Sequence, residues 1–299
     1  MRAIEKHGER MKDFQGKTAF VTGAASGIGL ALARAFLDRG MNVMMVDVEK
    51  TALEAAAHGL SNHGDRVGKV VADVSVGENL YDAANKAIAQ FGKVHVLCNN
   101  AGVSRPGPME EISIADWQWV IGVNLYGTIH GIRAFVPHMR EHGEDCHIVS
   151  TSSMSGLTPK ALASTYAATK FGIIGFSEVL RDELKDTNIG VSVLCPGWTK
   201  TNMPDNGRNR PDRFGGSFRI HDDPKLAART QAYLDGAKNG LDPLDLAALV
   251  MRAIEEKEFY IFTEPGRRAS VQAKIDTVMA GFDALDERLP GILRGKAGA

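Results

Sequence analysis

The segment Thr18-Ala-Phe-Val-Thr22-Gly23-Ala-Ala-Ser26-Gly27-Ile28-Gly29-Leu30-Ala-Leu-Ala-Arg34 joins two hydrophobic patterns through three glycines. Its first five residues are the β-branched, aromatic and small side chains of a strand covered on both faces. From Gly27 the spacing is helical and continues to residue 39. Glycines at such a strand-to-helix turn let backbone approach a ligand closely. The helix start adds free N–H groups and the positive end of a dipole. A pyrophosphate suits that place. The spacing is G-x-x-x-G-x-G over Gly23, Gly27 and Gly29, not the commoner G-x-G-x-x-G. About 20 residues on, at the end of the next apolar run, stands Asp47, where a carboxylate can hold an adenosine ribose. An acidic residue at a strand end can also serve only a turn, but its distance from the glycines favours the ribose.

The alternation continues along the chain. Short apolar runs at 18–22, 42–47, 67–72, 94–98, 147–151, 191–195 and 259–262 alternate with helical patterns at 27–39, 51–62, 78–91, 117–142 and 166–186. This order predicts an α/β fold, a three-layer doubly wound parallel sheet of about seven strands. Residues 198–240, rich in Gly, Pro, Asn and Arg, break the rhythm and are expected to form a substrate lid. Residues 264–299 are expected to add a C-terminal extension with a helix over 267–288. A single domain over 1–299, with its core at 14–263, fits better than two. The 299 residues carry 35 Lys+Arg against 36 Asp+Glu, so the basic excess of a nucleic-acid binder is missing. No apolar run reaches about 18 residues, which removes a membrane span. Residues 1–12 are charged and lack the apolar centre of a signal peptide. Cys98, Cys146 and Cys195 lie far apart in apolar runs and read as reduced core thiols of a cytoplasmic protein.

Further motifs follow in order: Asp73-Val74, Asn99-Asn100-Ala101-Gly102, Asn124 in Val-Asn-Leu-Tyr-Gly, Ser153, Tyr166-x-x-x-Lys170 and Pro196-Gly197. Together with Thr22-Gly23-x-x-x-Gly27-x-Gly29 they resemble the short-chain dehydrogenase/reductase family over about residues 14–263. The resemblance implies a Rossmann-type sheet, a nicotinamide dinucleotide, a small-molecule substrate and a homodimer or homotetramer. It assigns Gly23, Ser26, Gly27, Ile28 and Gly29 to the dinucleotide loop, and Asp73 with Val74 to the adenine. Asn100, Ala101 and Gly102 would line the adenine and ribose pocket. Pro196, Gly197, Thr199 and Thr201 would lie beside the nicotinamide, with Tyr166 and Lys170. Asp47 would hold a ribose diol and repel a 2′-phosphate. The two places where NADP users often carry a basic residue hold Ser26 and Val48. NAD is therefore expected over NADP.

Tyr166 and Lys170 lie one helical turn apart, on one face. A free tyrosine, with a pKa of about 10, is a poor base at neutral pH. A nearby ammonium and the charge of an oxidised nicotinamide would stabilise its phenolate. By the resemblance Tyr166 is the general acid/base, Ser153 steadies the substrate oxygen, and Lys170 holds the nicotinamide ribose. Asn124, in a helix that the family interrupts locally, would orient a water leading to Lys170. His138-Met-Arg-Glu-His142 has the H-x-x-E-H order of a zinc-peptidase helix, but falls at the opposite edge of the sheet with no third ligand, so no metal is expected. In the lid, Phe214, Phe218 and Tyr233 are candidates for packing an aromatic substrate. Arg208, Arg210, Arg213 and Arg219 read as a solvated loop face, or less readily as an anion site. The lid, the Phe135-Val136-Pro137 run and the C-terminal extension look like bacterial Cα-dehydrogenases of β-aryl ethers. The expected reaction is hydride transfer between a secondary alcohol, aryl or benzylic, and its ketone. A 3-oxoacyl or hydroxysteroid-type reductase and a non-catalytic dinucleotide-binding regulatory protein are the alternatives.

Overall fold

Successive residues of the first strand enter two different cores. The computed structural model describes residues 11, 13–219 and 227–296. In it β1 (Thr18–Thr22) sends Ala19 and Val21 to one hydrophobic cluster and Phe20 to another. The next strand, β2 (Asn42–Asp47), divides Val43 and Met45 from Met44 and Val46 in the same way. Side chains alternate across a strand, so both faces of the sheet are covered. The remaining strands are β3 (Val67–Val71), β4 (Val96–Asn99), β5 (Cys146–Thr151), β6 (Ile189–Cys195) and β7 (Tyr260–Phe262). All pair in parallel, in the order β3-β2-β1-β4-β5-β6-β7. The chain moves outward from β1 to β3 and then returns to β4, beside β1. That reversal opens a crevice at the carboxyl ends of β1 and β4.

Eight helices accompany the sheet among the described residues of this part: α1 (Gly27–Asp38), α2 (Lys50–His58), α3 (Gly77–Phe91), α4 (Ile114–Ile121), α5 (Gly127–His142), α6 (Ser164–Glu183), α7 (Ala227–Asn239) and α8 (Pro243–Glu256). Side chains of α1, α2 and α8 fill the first cluster, and those of α3, α5 and α6 the second. The three cysteines are unpaired and buried, and burial pushes the thiols of Cys146 and Cys195 up to about 12. No described helix is long and apolar enough to cross a membrane.

Three elements differ from the sequence-based expectation. The pattern at 117–142 is not one helix. It starts earlier, at Ile114, with a capping box between Ser113 and Asp116, and the local interruption that the resemblance implied around Asn124 is present, as a π-helical turn, Gly122–Tyr126. Such turns slip one residue into the ladder and often sit at functional sites. Helix α8 was not anticipated, although its start carries standard signals: Asp242 accepts from the Leu244 N–H (3.0 Å) and Pro243 opens the first turn. Residues 198–240 are also more regular than a loop, with 3₁₀ turns at Met203–Asn209 and Asp212–Phe214 and then α7. Residues 1–10, Lys12, 220–226 and 297–299 lie outside the described residues, so part of the expected lid is not described. The chain divides into two compact units, Met1–Thr263 and Glu264–Ala299. The second holds α9 (Arg268–Lys296), which runs past residue 288.

The H-x-x-E-H histidines serve the strand edge. The Val94 N–H donates to His138 Nε2, and His142 Nε2 meets the Val94 carbonyl, each at 3.2 Å. Among the described residues no three His, Cys, Asp or Glu side chains are grouped to hold a metal. His95 and His147 are the buried imidazoles. His95 accepts from the Thr18 N–H at Nδ1 (3.1 Å), and His147 pairs with the Ser192 hydroxyl (2.7 Å). Burial pushes them down from 6.5 to about 4 and about 3. Both fold as neutral rings, so below pH 6.5 the unfolded chain binds protons that the folded chain refuses. Stability should therefore fall as pH drops from 6.5, by about 1 kcal/mol per pH unit for each histidine, levelling below pH 4 for His95 and pH 3 for His147. Urea midpoints at pH 7 and pH 5 check this; equal midpoints would contradict it.

Candidate active site

The glycine turn forms a cradle at the reversal point. A Cβ on Gly29 would fall 2.1 Å from the Gly23 carbonyl oxygen, so only glycine lets α1 start this close to the turn. Gly23 has a φ of +66°, and a side chain there would strike the Ala101 backbone at 2.9 Å. Ser26 precedes α1 without capping it through its side chain, which leaves the helix start open to an anion. Ile28, in the first turn, packs on the first core. Asp47 braces the same turn. Its Oδ2 accepts from the Ala25 N–H and its Oδ1 from the Glu49 N–H, both at 3.0 Å. Burial holds this carboxyl above the usual range despite those bonds.

Thr22 ties the cradle to the strand across the crevice, a role the sequence motifs did not reveal. Its hydroxyl accepts from the N–H groups of Asn100 (2.9 Å) and Ala101 (3.0 Å) and donates to the Cys98 carbonyl (3.3 Å). Asn100 Nδ2 returns a bond to the Thr22 carbonyl (3.0 Å). Beyond β3, Asp73 accepts from the Ser75 N–H and hydroxyl and from Arg213 (3.0 Å). Burial opposes ionisation of Asp73, but these bonds prevail and hold its carboxyl below the usual range. Val74 packs against Gly127 beneath it, where a Cβ would fall 2.8 Å from its Cγ2.

Ser153, Tyr166, Lys170 and Asn124 converge beside this cradle. Ser153 follows β5 near enough to Tyr166 for its hydroxyl to favour the phenolate, and its Oγ accepts from the Ser155 N–H (3.1 Å). Tyr166 and Lys170 stand in the first turns of α6, with the Lys170 Nζ 5.3 Å from the centre of the phenol ring. The ammonium donates to the Thr151 carbonyl (2.7 Å). Burial pushes the Tyr166 phenol up to about 12, against the lowering effect of Ser153, and pushes Lys170 down to about 7. The expected acidification of Tyr166 by Lys170 is therefore not a property of these side chains alone. Asn124, in the π turn, clamps the next backbone segment: it accepts from the Val103 N–H (2.8 Å) and donates to the Val103 carbonyl and the Thr169 hydroxyl. Gly102 lies between Asn124 and Lys170. A Cβ there would sit 3.5 Å from Asn124 Oδ1 and 3.6 Å from Lys170 Nζ.

The segment after β6 closes the site's other side. The Pro196 carbonyl accepts from the Met154 N–H (3.0 Å), and the Gly197 N–H donates to the Thr263 hydroxyl (2.9 Å). Thr199 is buried with no hydrogen-bond partner for its hydroxyl, an orphan that a bound polar group would satisfy. The Thr201 methyl lies over Gly27, at 2.9 Å from where a Cβ would be. Farther on, Arg208, Arg213 and Arg219 are exposed, as a solvated loop face would be, and Arg210 is half-buried, but three of the four have carboxylate partners. Arg208 pairs with Glu49, Arg210 with Asp116 (3.0 Å) and Arg213 with Asp73. Phe214 and Phe218 pack on Val103, Trp119 and Val120, with Arg105 over the Phe218 ring at 4.7 Å. Tyr233 meets Trp198 edge to face, at 5.4 Å. Asn206 accepts from the Ser104 N–H (2.9 Å).

The family model described as short chain dehydrogenase matches residues 17–212. The chain belongs to the short-chain dehydrogenase family. Within it the chain is 36% identical over 273 residues to a C alpha-dehydrogenase of Sphingobium sp. (strain NBRC 103272 / SYK-6), covering 90% of this chain and 88% of that protein. A short-chain dehydrogenase/reductase of Burkholderia phymatum, solved in complex with NAD, superposes with a TM-score of 0.87 at 35% identity, over 91% of this chain and 97% of that one. The apo form of LigO from Sphingobium sp. strain SYK-6 gives 0.77 at 30% identity, over 96% of each chain. These likenesses place this short-chain dehydrogenase with the Cα-dehydrogenase subgroup.

Proposed function

We propose that this short-chain dehydrogenase transfers hydride between a secondary alcohol of the aryl or benzylic class and its ketone, using NAD in preference to NADP. One observation carries the reading: Lys170 Nζ, one turn from Tyr166 and 5.3 Å from the centre of its ring, lies beside Gly102, which ends the Asn100-Ala101-Gly102 loop packed on the glycine cradle. The cradle of Gly23, Gly27 and Gly29, the uncapped start of α1 and the orphaned Thr199 hydroxyl fit such a cofactor. Asp47 would hold the adenosine ribose, and Asp73 with Val74, Asn100 and Ala101 would border the adenine. Pro196, Gly197, Thr199 and Thr201 would border the nicotinamide. When bound, the oxidised cofactor supplies the hydride acceptor and a positive charge.

Tyr166, as phenolate, takes the alcohol proton while the carbinol C–H electron pair leaves as hydride and the carbonyl forms. Ser153 donates to the substrate oxygen throughout. Burial holds the phenol at about 12 and the amine at about 7, so added positive charge is needed to bring the phenol down and populate the phenolate at neutral pH. Lys170, anchored on the Thr151 carbonyl, holds its proton close to that phenol. Phe214 and Phe218, packed on Val103, Trp119 and Val120, give the segment after β6 an aromatic character. With Arg208, Arg210 and Arg213 already bonded to carboxylates, the segment after β6 favours an uncharged aromatic substrate over an anionic one.

Turnover of aryl, 3-hydroxyacyl and steroid secondary alcohols, each with NAD and NADP, tests this. The aryl alcohols with NAD are expected to give the highest kcat/KM. A preference for acyl or steroid substrates, or for NADP, would refute the substrate or cofactor assignment. NADH binding without turnover of any alcohol would point to the regulatory alternative.

A further inference from the structure

Glu49 was not singled out by any motif, yet it organises the surface next to Asp47. Its N–H donates to Asp47 Oδ1 (3.0 Å), so the two acidic residues share one short turn after β2. Across the crevice mouth, Arg208 from the 3₁₀ turn Met203–Asn209 grips the Glu49 carboxylate with two bonds, Nη2 to Oε1 at 2.5 Å and Nε to Oε2 at 3.0 Å. Asn209 adds a third, to Oε1 at 2.8 Å. Arg208 also bonds the Asp205 carbonyl (2.7 Å), with the Asp205 carboxylate 3.7 Å away. Burial opposes ionisation of Glu49, but the bonds from Arg208 and Asn209 prevail, so the pair is ionic at neutral pH. The guanidinium lies within the field of Asp47 as well.

We infer that Glu49 and Arg208 are a second determinant of cofactor choice, in which Glu49 holds a guanidinium that would otherwise receive the 2′-phosphate of NADP. This rests on the reading of Asp47 as the ribose carboxylate. Three carboxylates, Asp47, Glu49 and Asp205, surround one guanidinium whose fork is filled. A phosphate arriving there meets net negative charge and a guanidinium whose Nε and Nη2 pair is already taken by Glu49. A ribose diol, which is uncharged, meets no such barrier. A guanidinium released from Glu49 has the planar fork that suits a phosphate. The control over cofactor choice is thus shared between the strand end and the segment after β6, 159 residues apart.

The test is a double-mutant cycle read as Kd for NADPH and NADH by fluorescence titration of the full chain. Glu49→Gln should tighten NADPH by about tenfold or more, the lower range of coupling between close charge pairs, with NADH moving much less. Arg208→Gln should weaken NADPH. The double variant should lose the gain, since the gain acts through Arg208. No gain in Glu49→Gln, a gain that survives in the double variant, or equal weakening of both cofactors would overturn the inference. In the last case the pair is only a strut for the segment. Wild-type protein that binds neither cofactor would instead overturn the cofactor reading, whereas tight NADH binding with a flat cycle would overturn this inference alone.

Discussion

Tyr166→Phe is expected to lower kcat by about 10²–10⁴-fold while the Kd for NADH stays near that of the wild type. In the proposed mechanism the phenol oxygen exchanges the proton with the substrate, and Phe would keep the ring while removing that oxygen. Ser153 and Lys170 keep their other partners, Ser155 N–H and the Thr151 carbonyl, so the site should keep its shape. Pre-steady-state mixing with NAD and an aryl alcohol separates the proton-transfer defect from binding. Near-normal turnover in the variant would remove Tyr166 from the mechanism.

Gly29→Ala should be nearly as damaging, but through the cofactor. The new methyl would fall 2.1 Å from the Gly23 carbonyl oxygen and 2.8 Å from Asn100 Nδ2. Backbone cannot yield as a flexible side chain can, so the turn and the start of α1 must separate. A displacement of about 1 Å in a binding element costs about 100-fold in kcat/KM, and here it should appear chiefly in KM for NAD and Kd for NADH. Gly175→Ala, in α6 with nothing within 4 Å of the added carbon, is the control and should leave both unchanged. Equal behaviour of the two variants would mean the cradle does not hold the dinucleotide.

The sheet and the cradle were legible because their causes are local. Strand-to-helix glycines, the alternation of apolar runs and the carboxylate at the end of β2 all act within one β-α-β unit. The π turn around Asn124 was not legible from periodicity, since one extra residue barely disturbs a helical pattern. Helix α8 could have been found, because Asp242 and Pro243 mark its start. The ion pairs of Arg208, Arg210 and Arg213 could not, as their partners lie on α4 and after β2 and β3, far off in sequence. The same limit applied to Tyr166 and Lys170. Their spacing told that they meet, but not that burial would drive both toward neutrality.

In the proposed reaction a carbinol hydrogen leaves as hydride to a nicotinamide held in this site. An aryl secondary alcohol deuterated at the carbinol carbon, turned over with NAD, tests it most directly. The deuterium should be recovered on the nicotinamide C4 of NADH, on one face, in step with ketone formation. Ketone formed with the label in water, or no label transferred while NADH binds tightly, would contradict the account.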